Sequence, residues 1–403
     1  MARRPDRVII AGAGPVGLLL ALALGRQEVP VTVLEAEPGL AHDLRAGSFH
    51  PPSLEMMAPY GVTDDMHAIG IPVRRWQLRD RAAGVIVEWD LGLLAGDTPY
   101  PYRLHLEQHR LTPILFERLR AVANVEVRFD TRVSGVGQDA DRAWVLAESP
   151  AGSERFEGAW VVGCDGGRSA VRKAVGIEME GFTWPERFVV VSTPYDLGAH
   201  GFTANAYVAD PEQWAAVFKM PDAGGAGLWR IAFPVPPDEA DEATLAPAEV
   251  ERRMQYFLPR ATPYEVRHKS IYKVHQRVAR EFRRGRVLLA GDAAHLNNPL
   301  GAFGLNGGIH DAINLAGKLG PVCRGEAPAD LLDRYVRQRR TVNVEYVQEG
   351  SIRNLRTLAE RDPAARQARF DELRRTNADP RLAREFLLRS SMIASVRRER
   401  SIA

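Results

Sequence analysis

Three clusters of residues in this chain have the types and spacing to hold a nucleotide and to move electrons. The first is Gly12-Ala13-Gly14-Pro15-Val16-Gly17, which follows the apolar run Val8–Ala11 and opens an apolar helical stretch. The order strand, glycine turn, helix gives such a spacing its meaning: Gly12 permits a tight turn, Gly14 lets backbone approach a pyrophosphate, and Gly17 allows close packing of helix on strand. The helix N-terminus, with its free N–H groups, then faces the phosphates. Glu35 ends the next apolar run, about twenty residues further on, where a carboxylate accepts hydrogen bonds from an adenosine ribose and repels a 2′-phosphate. Pro15 and Val16 at the helix start and Ala36 after the carboxylate complete this set of candidate contacts. The fingerprint alone does not separate FAD from NAD.

The second cluster, Gly291-Asp292-Ala293-Ala294-His295, follows a strand-like run and leads into Pro299-Leu300-Gly301-Ala302-Phe303-Gly304-Leu305-Asn306. An aspartate at a strand end can accept the hydroxyl protons of a ribityl chain. A glycine-rich turn lets Leu305 and Asn306 present backbone N–H groups to the pyrimidine edge of a flavin. That edge becomes negative on reduction, so fixed N–H dipoles there favour the reduced form. The third cluster runs Cys164-Asp165-Gly166-Gly167-Arg168-Ser169-Ala170-Val171-Arg172. Asp165 serves either a cofactor or the turn it sits in, and Arg172 either NAD(P)H or the helix that Ser169 caps. Cys164 reads as a buried apolar filler.

Together these segments resemble the class A FAD-dependent aromatic hydroxylases, the family of para-hydroxybenzoate hydroxylase, over roughly residues 5 to 345. The second cluster continues in family style through GGIHDAINLAGKL, and the third resembles the family's DGxxSxVR pattern. The resemblance implies that Asp292 binds the ribityl chain, that Arg45 in LRAGSFHPPSLEMM and Gln108 in HLEQHRLTPILFERL touch FAD, and that Pro299 lies beside the substrate ring. Asn297 and Asn298 before Pro299, Phe303 where a small or polar residue is frequent, and Gly317 in place of a frequent tryptophan depart from the pattern. Phe303 is expected to add an aromatic wall to the site.

The activity implied is hydroxylation of a phenol-like ring: NADH or NADPH reduces noncovalent FAD, O2 adds to give a flavin C4a-hydroperoxide, and the electron-rich ring attacks its distal oxygen. The flavin carries the hard chemistry. The chain must position the ring, exclude water and help remove a substrate proton. His50, His105 and Tyr207 are candidates for that proton, with Pro299 at the ring. Two other readings stay open. One is an FAD-dependent oxidoreductase of the same fold without oxygen insertion, although GLWRIAFPV lacks the spacing of a WxWxIP halogenase signature. The other is a non-catalytic flavin- or nucleotide-binding protein.

Elements able to position these clusters follow from the pattern along the chain. A βαβ unit opens it, short alternating runs follow at 73–105, helix and strands return at 106–179, strands dominate 180–275, and GRVLLAGDAAH begins a third return. The expected fold is α/β: a discontinuous Rossmann-type, glutathione reductase-like FAD-binding domain (1–72, 106–179 and 276–345), an inserted sheet-rich substrate-binding domain (73–105 and 180–275) and a helical C-terminal region (346–403). Breaks are expected near Pro321, Pro328, Pro363 and Pro380.

Composition narrows the function. Of 53 Lys and Arg only five are lysine, and the net charge is +2 with 51 acidic residues, so the basic residues make no nucleic-acid footprint. Cys164 and Cys323 are too few and too far apart for a disulfide scaffold or a metal cluster, and a reducing cytoplasm is expected with no metal site. The arginines before VIIAGAGPVGLLLALALG imitate a signal peptide, but its glycines and Pro15 make a poor membrane helix, so no stable membrane association is expected. The expected partners are a small aromatic substrate and O2, with the chain a monomer or homodimer.

Overall fold

The computed structural model describes residues 6–42, 47–222 and 224–403, and the chain is a mixed α/β protein built on two large sheets. The first sheet has six strands in the order Arg283–Arg284, Val287–Leu289, Trp160–Gly163, Val8–Ala11, Val31–Leu34 and Val125–Arg128. All pairings are parallel except that of the edge strand Arg283–Arg284, which is antiparallel to Val287–Leu289. Val8–Ala11 and Val31–Leu34 are buried on both faces, which is why they read as unbroken apolar runs rather than alternating ones. Strand order reverses about Val8–Ala11, whose neighbours are Val31–Leu34 and Trp160–Gly163. Ligands bind at such a switch point, beyond the carboxyl ends of the strands.

Helix Pro15–Gly25 leaves this point almost wholly buried. It lies against helix Phe303–Cys323, where a Cβ on Gly308 would come within 2.6 Å of Val16 Cγ2. The latter helix runs through Pro321 to Cys323 instead of breaking at the proline. The ring removes one backbone bond, but only two helical residues follow it, so little helix is left for it to disrupt. Pro363 and Pro380 do start new helices, with Asp362 accepting from Ala365 N–H and Asp379 from Arg381 and Leu382 N–H.

The second sheet has eight strands, with order His295–Leu296, His268–Ala279, Met179–Thr193, Leu228–Val235, Ala215–Met220, Asn205–Ala209, Arg75–Asp80 and Gly84–Asp90. Side-chain alternation sorts its residues onto two faces. Val189, Val191, Val217, Ile231 and Phe233 face outward against helix Pro247–Phe257. Val190, Ala216, Ala232, Tyr207 and Val274 face inward, toward the first sheet and the C-terminal helices. Phe386 from those helices stacks on Trp89, centroids 4.1 Å apart. Two small antiparallel sheets complete the chain: Ser48–Phe49, Ile71–Val73 and Arg103–His105, and the three strands between Arg132 and Gly158. Among the described residues no helix is long and apolar enough to cross a membrane.

Candidate active site

Parallel pairing brings the three clusters to one edge of the six-stranded sheet: the strands ending at Ala11, Leu34, Gly163 and Leu289 deliver Gly12, Glu35, Asp165 and Asp292 side by side. The three glycines of the first turn divide their work. Gly12 has φ +102°, and a Cβ there would lie 2.5 Å from the Cys164 carbonyl oxygen. A Cβ on Gly17 would lie 2.0 Å from the Gly12 carbonyl oxygen, so both are closed by the protein itself. Gly14 differs, because its φ of −69° and ψ of 176° suit any residue. A Cβ there would meet nothing within 4 Å, and the residue borders a cavity of about 370 Å³. The space in front of Gly14 is open to the cavity, and a pyrophosphate at the helix N-terminus would fit it. The Glu35 carboxylate accepts from Ala13 N–H at 2.7 Å and from Glu37 N–H at 3.0 Å, fixing the carboxylate beside the glycine turn and Ala36 beyond it.

Pro15, Val16, Gln108, Asp292, Pro299, Gly304 and Leu305 border the same cavity. Asp165 turns inward on its own loop: it accepts from Ser169 Oγ at 2.6 Å, Ala170 N–H at 2.7 Å and Val171 N–H at 3.1 Å, while Ser169 caps the helix through Arg172 N–H. Arg172 is buried and donates to the carbonyls of Ala293 at 2.9 Å and Gly167 at 3.0 Å, stapling the second cluster to the third. Cys164 lines the cavity, its thiol pushed well above its ordinary pKa by burial and the neighbouring carboxylates. Arg45 lies outside the described residues.

The loop after Pro299 carries two consecutive residues of positive φ, Gly301 at +106° and Ala302 at +58°. Backbone strain of this kind persists only where the surroundings fix it. Here Tyr207 Oη accepts the Gly301 N–H at 3.1 Å, and His50 Nε2 donates to the Gly301 carbonyl at 2.7 Å. His50, Tyr207 and His105 are all buried away from the cavity lining. His105 Nδ1 donates to the Lys219 carbonyl at 3.0 Å. Burial, opposed by that bond and aided by Arg103, lowers the pKa of His105 to about 4. Burial and Arg103 also hold the His50 imidazole well below its ordinary pKa. The side chain of Asn306 is a staple as well, accepting from His50 N–H at 2.8 Å and Ser53 Oγ at 2.6 Å and donating to the Ser48 and Ala302 carbonyls. Phe303 does not wall the site; its ring stacks on His50 at 5.8 Å and packs with Val347 and Met392.

The far wall of the cavity was not singled out by the sequence. It is the inward face of the eight-stranded sheet: Val190, Ala216 and Ala232 form a floor of small side chains bounded by Phe218, Met220, Tyr272 and Leu300. Ala216 and Ala232 are direct cross-strand partners, and both are buried. Arg230, paired with Glu107, adds a cation to the lining, and His268 and Lys273 stand at its rim. The signal that locates these residues is the period-two alternation of AAVFKM and LWRIAFPV, but alternation gives two faces and does not say which one meets the cavity.

A model of an FAD binding domain family matches residues 6–350. Over 95% of its length the chain is 38% identical to para-nitrophenol 4-monooxygenase of Pseudomonas sp. strain WBC-3, covering 94% of that protein. It is 38% identical to 6-hydroxy-3-succinoylpyridine 3-monooxygenase of Pseudomonas putida strain DSM 28022 / S16, over 89% of this chain and 90% of that one. Among solved structures, p-nitrophenol 4-monooxygenase from Pseudomonas putida DLL-E4 superposes with a TM-score of 0.90 at 37% identity, covering 94% of this chain and 96% of that one. Family match, near full-length relatives and a nucleotide edge that faces an apolar slot agree: the chain belongs to the FAD-dependent class A aromatic hydroxylases.

Proposed function

We propose that this enzyme hydroxylates a small aromatic ring that already carries a hydroxyl group, with NADH or NADPH as electron donor and O2 as the oxygen source. One observation carries the reading: a single cavity is lined both by Gly14, Asp292 and the start of helix Phe303–Cys323 and by the apolar side chains Val190, Ala216, Phe218, Ala232 and Tyr272 of the eight-stranded sheet. The relatives named for para-nitrophenol and for a 6-hydroxypyridine act on rings of that kind, which supports it.

FAD, when bound, supplies the two-electron reduction and the activation of oxygen. Gly14, Pro15 and Val16 would hold its pyrophosphate on the turn that Gly12 and Gly17 shape, Glu35 and Ala36 its adenosine end, and Asp292 with Gln108 its ribityl region. The N–H groups of Leu305 and Asn306 would meet the flavin ring. The sheet floor orients the substrate and keeps water from it, which fixes the ring carbon that reacts. Arg230, with His268 and Lys273 at the rim, favours the ionised phenol, and loss of that proton raises the nucleophilicity of the ring. Pro299 borders the ring, while His50 and Tyr207 act on it through the loop they hold. Arg172 and Asp165 are assigned to loop structure.

The test is a screen of phenols, hydroxybenzoates and hydroxypyridines for acceleration of NAD(P)H oxidation, followed by turnover under heavy-isotope dioxygen. The expected result is one labelled hydroxyl in the product for each NAD(P)H consumed. A ring-modified product without label would overturn the proposal.

A further inference from the structure

The two cradle segments assigned above to the flavin meet behind the cavity on one carboxylate. Asp311 Oδ2 accepts the Gly291 N–H at 3.0 Å and the His295 Nε2–H at 2.6 Å. Its other oxygen, Oδ1, accepts Arg339 Nε–H at 2.6 Å. Arg339 in turn donates through Nη2 to the Gly307 carbonyl at 3.1 Å and through Nη1 to Glu399 Oε2 at 2.5 Å. Glu399 is in the last helix, Ile393–Arg400, and its Oε1 accepts from Asn314 Nδ2, whose side-chain oxygen accepts from Lys318. Asp311 and His295 are fully buried, Arg339 is 1% exposed and Glu399 is 9% exposed.

Gly291 precedes Asp292, and Gly307 follows the Gly304–Asn306 turn, so one chain of charge-assisted bonds sets the distance between the two halves of the cradle. A guanidinium taken out of water needs an acceptor for each of its N–H groups, and removing Glu399 leaves Nη1 without its charged acceptor while Asp311 still holds Nε, which shifts whatever else the guanidinium holds. We infer that Glu399, remote from the cavity, is a positioning residue for FAD: through Arg339 it fixes the Gly291 amide and the Gly307 carbonyl at the spacing the cofactor requires, so that docking of the C-terminal helix and binding of FAD are coupled. The inference rests on the assignment of the Asp292 and Leu305 segments to FAD. Coupling is reciprocal, so FAD must stabilise the docked helix by the factor that the docked helix contributes to FAD affinity.

The test uses full-length apoprotein titrated with FAD, and hydrogen exchange of the Ile393–Arg400 amides with and without FAD. Glu399→Gln, which keeps the size and removes the charge, is expected to weaken FAD binding by on the order of tenfold and to abolish the FAD-dependent part of the exchange protection. Arg397→Gln, on the same helix, removes a half-exposed guanidinium from Asp97, which keeps its pair with Arg384, and is expected to bind FAD within about twofold of the parent. Parental affinity in Glu399→Gln, or an equal loss in both variants, would overturn the inference, the latter because it would mean general loosening of the helix. If Glu399→Gln does not fold, exchange in the parent protein decides: protection of the last helix by FAD supports the coupling, and its absence refutes it. Asp292→Ala separates the two levels, because unchanged FAD affinity in that variant would count against the cradle assignment itself.

Discussion

The Tyr207 hydroxyl accepts the Gly301 N–H at 3.1 Å across the boundary between the eight-stranded sheet and the loop that borders the cavity. The bond comes from the same sheet that supplies the floor of the slot, so it ties the loop to that floor. Tyr207→Phe leaves a buried N–H without its acceptor, at a cost of about 1–3 kcal/mol. A strained loop released in this way no longer seals the cavity. The expected outcome is normal FAD content and normal substrate-stimulated NAD(P)H oxidation, with more of the oxygen appearing as hydrogen peroxide and less as product. Measuring peroxide and product together checks it; unchanged coupling would show that Tyr207 does not hold the loop.

The aspartates of the second and third clusters are expected to fail in different ways. Asp292→Ala should release FAD, because the carboxylate borders the cavity. Asp165→Ala should retain FAD yet lose about 1 kcal/mol of stability, since its carboxylate serves the Ser169 hydroxyl and two amides at a helix start. Flavin absorbance after gel filtration, set against urea unfolding, distinguishes them, and equal flavin loss in both would contradict the assignment.

Gly14 and Gly17 make a second contrast. Gly14→Val should fold, because neither its backbone angles nor its surroundings exclude a side chain, yet it should purify colourless. Gly17→Ala should lose stability whether or not FAD is present, because its Cβ would strike the Gly12 carbonyl. Thermal unfolding of the apoproteins gives the answer, with a parental midpoint expected for the first variant only.

The positions of the glycine turn and Glu35, and the placement of Gln108, Asp292, Pro299 and Leu305 at the cavity, were legible because each sits at or near a strand end or helix start, where local pattern fixes the backbone. His50, Tyr207 and Phe303 were not, since only tertiary packing decides whether a histidine or an aromatic faces a cavity or the loop behind it. Asp311 lay in plain view in GGIHDAINLAGKL, but its partner Arg339 lies 28 positions away and Glu399, the partner of Arg339, a further 60, beyond any local spacing rule.

Burial sets a pH limit on the fold. His50, His105 and His310 are depressed chiefly by burial, the latter two to about 4 and about 3. Each takes up a proton in the unfolded chain near pH 6.5 and resists it when folded. Their contribution is therefore complete above about pH 6.5 and is lost as pH falls through the folded values, at up to about 1.4 kcal/mol per pH unit for each histidine. Urea unfolding between pH 7 and 4.5 should show stability falling with acid, and His105→Gln should reduce the slope by one proton. A slope unchanged in that variant would mean that His105 is already protonated in the folded protein.

The last prediction concerns what the slot admits. Ala216 and Ala232 are opposed on neighbouring strands, so their Cβ atoms stand about 5 Å apart and leave a flat floor between Phe218 and Tyr272. Ala232→Leu fills that floor with three extra carbons at a place the protein itself leaves open, so the fold should tolerate it far better than the substrate does. Overpacking in a closed core costs about 1–3 kcal/mol, and here the same cost falls on the bound ring, equivalent to roughly a ten- to hundredfold loss in kcat/KM. FAD content should be parental, because the sheet floor lies across the cavity from Gly14 and Asp292. NAD(P)H oxidation without any ring should also be parental, while its stimulation by a phenol should need a far higher phenol concentration. Rings with a bulky substituent should suffer more than phenol itself. If the variant keeps both the stimulation constant and the preference among rings, the substrate binds elsewhere and the apolar face is only part of the core.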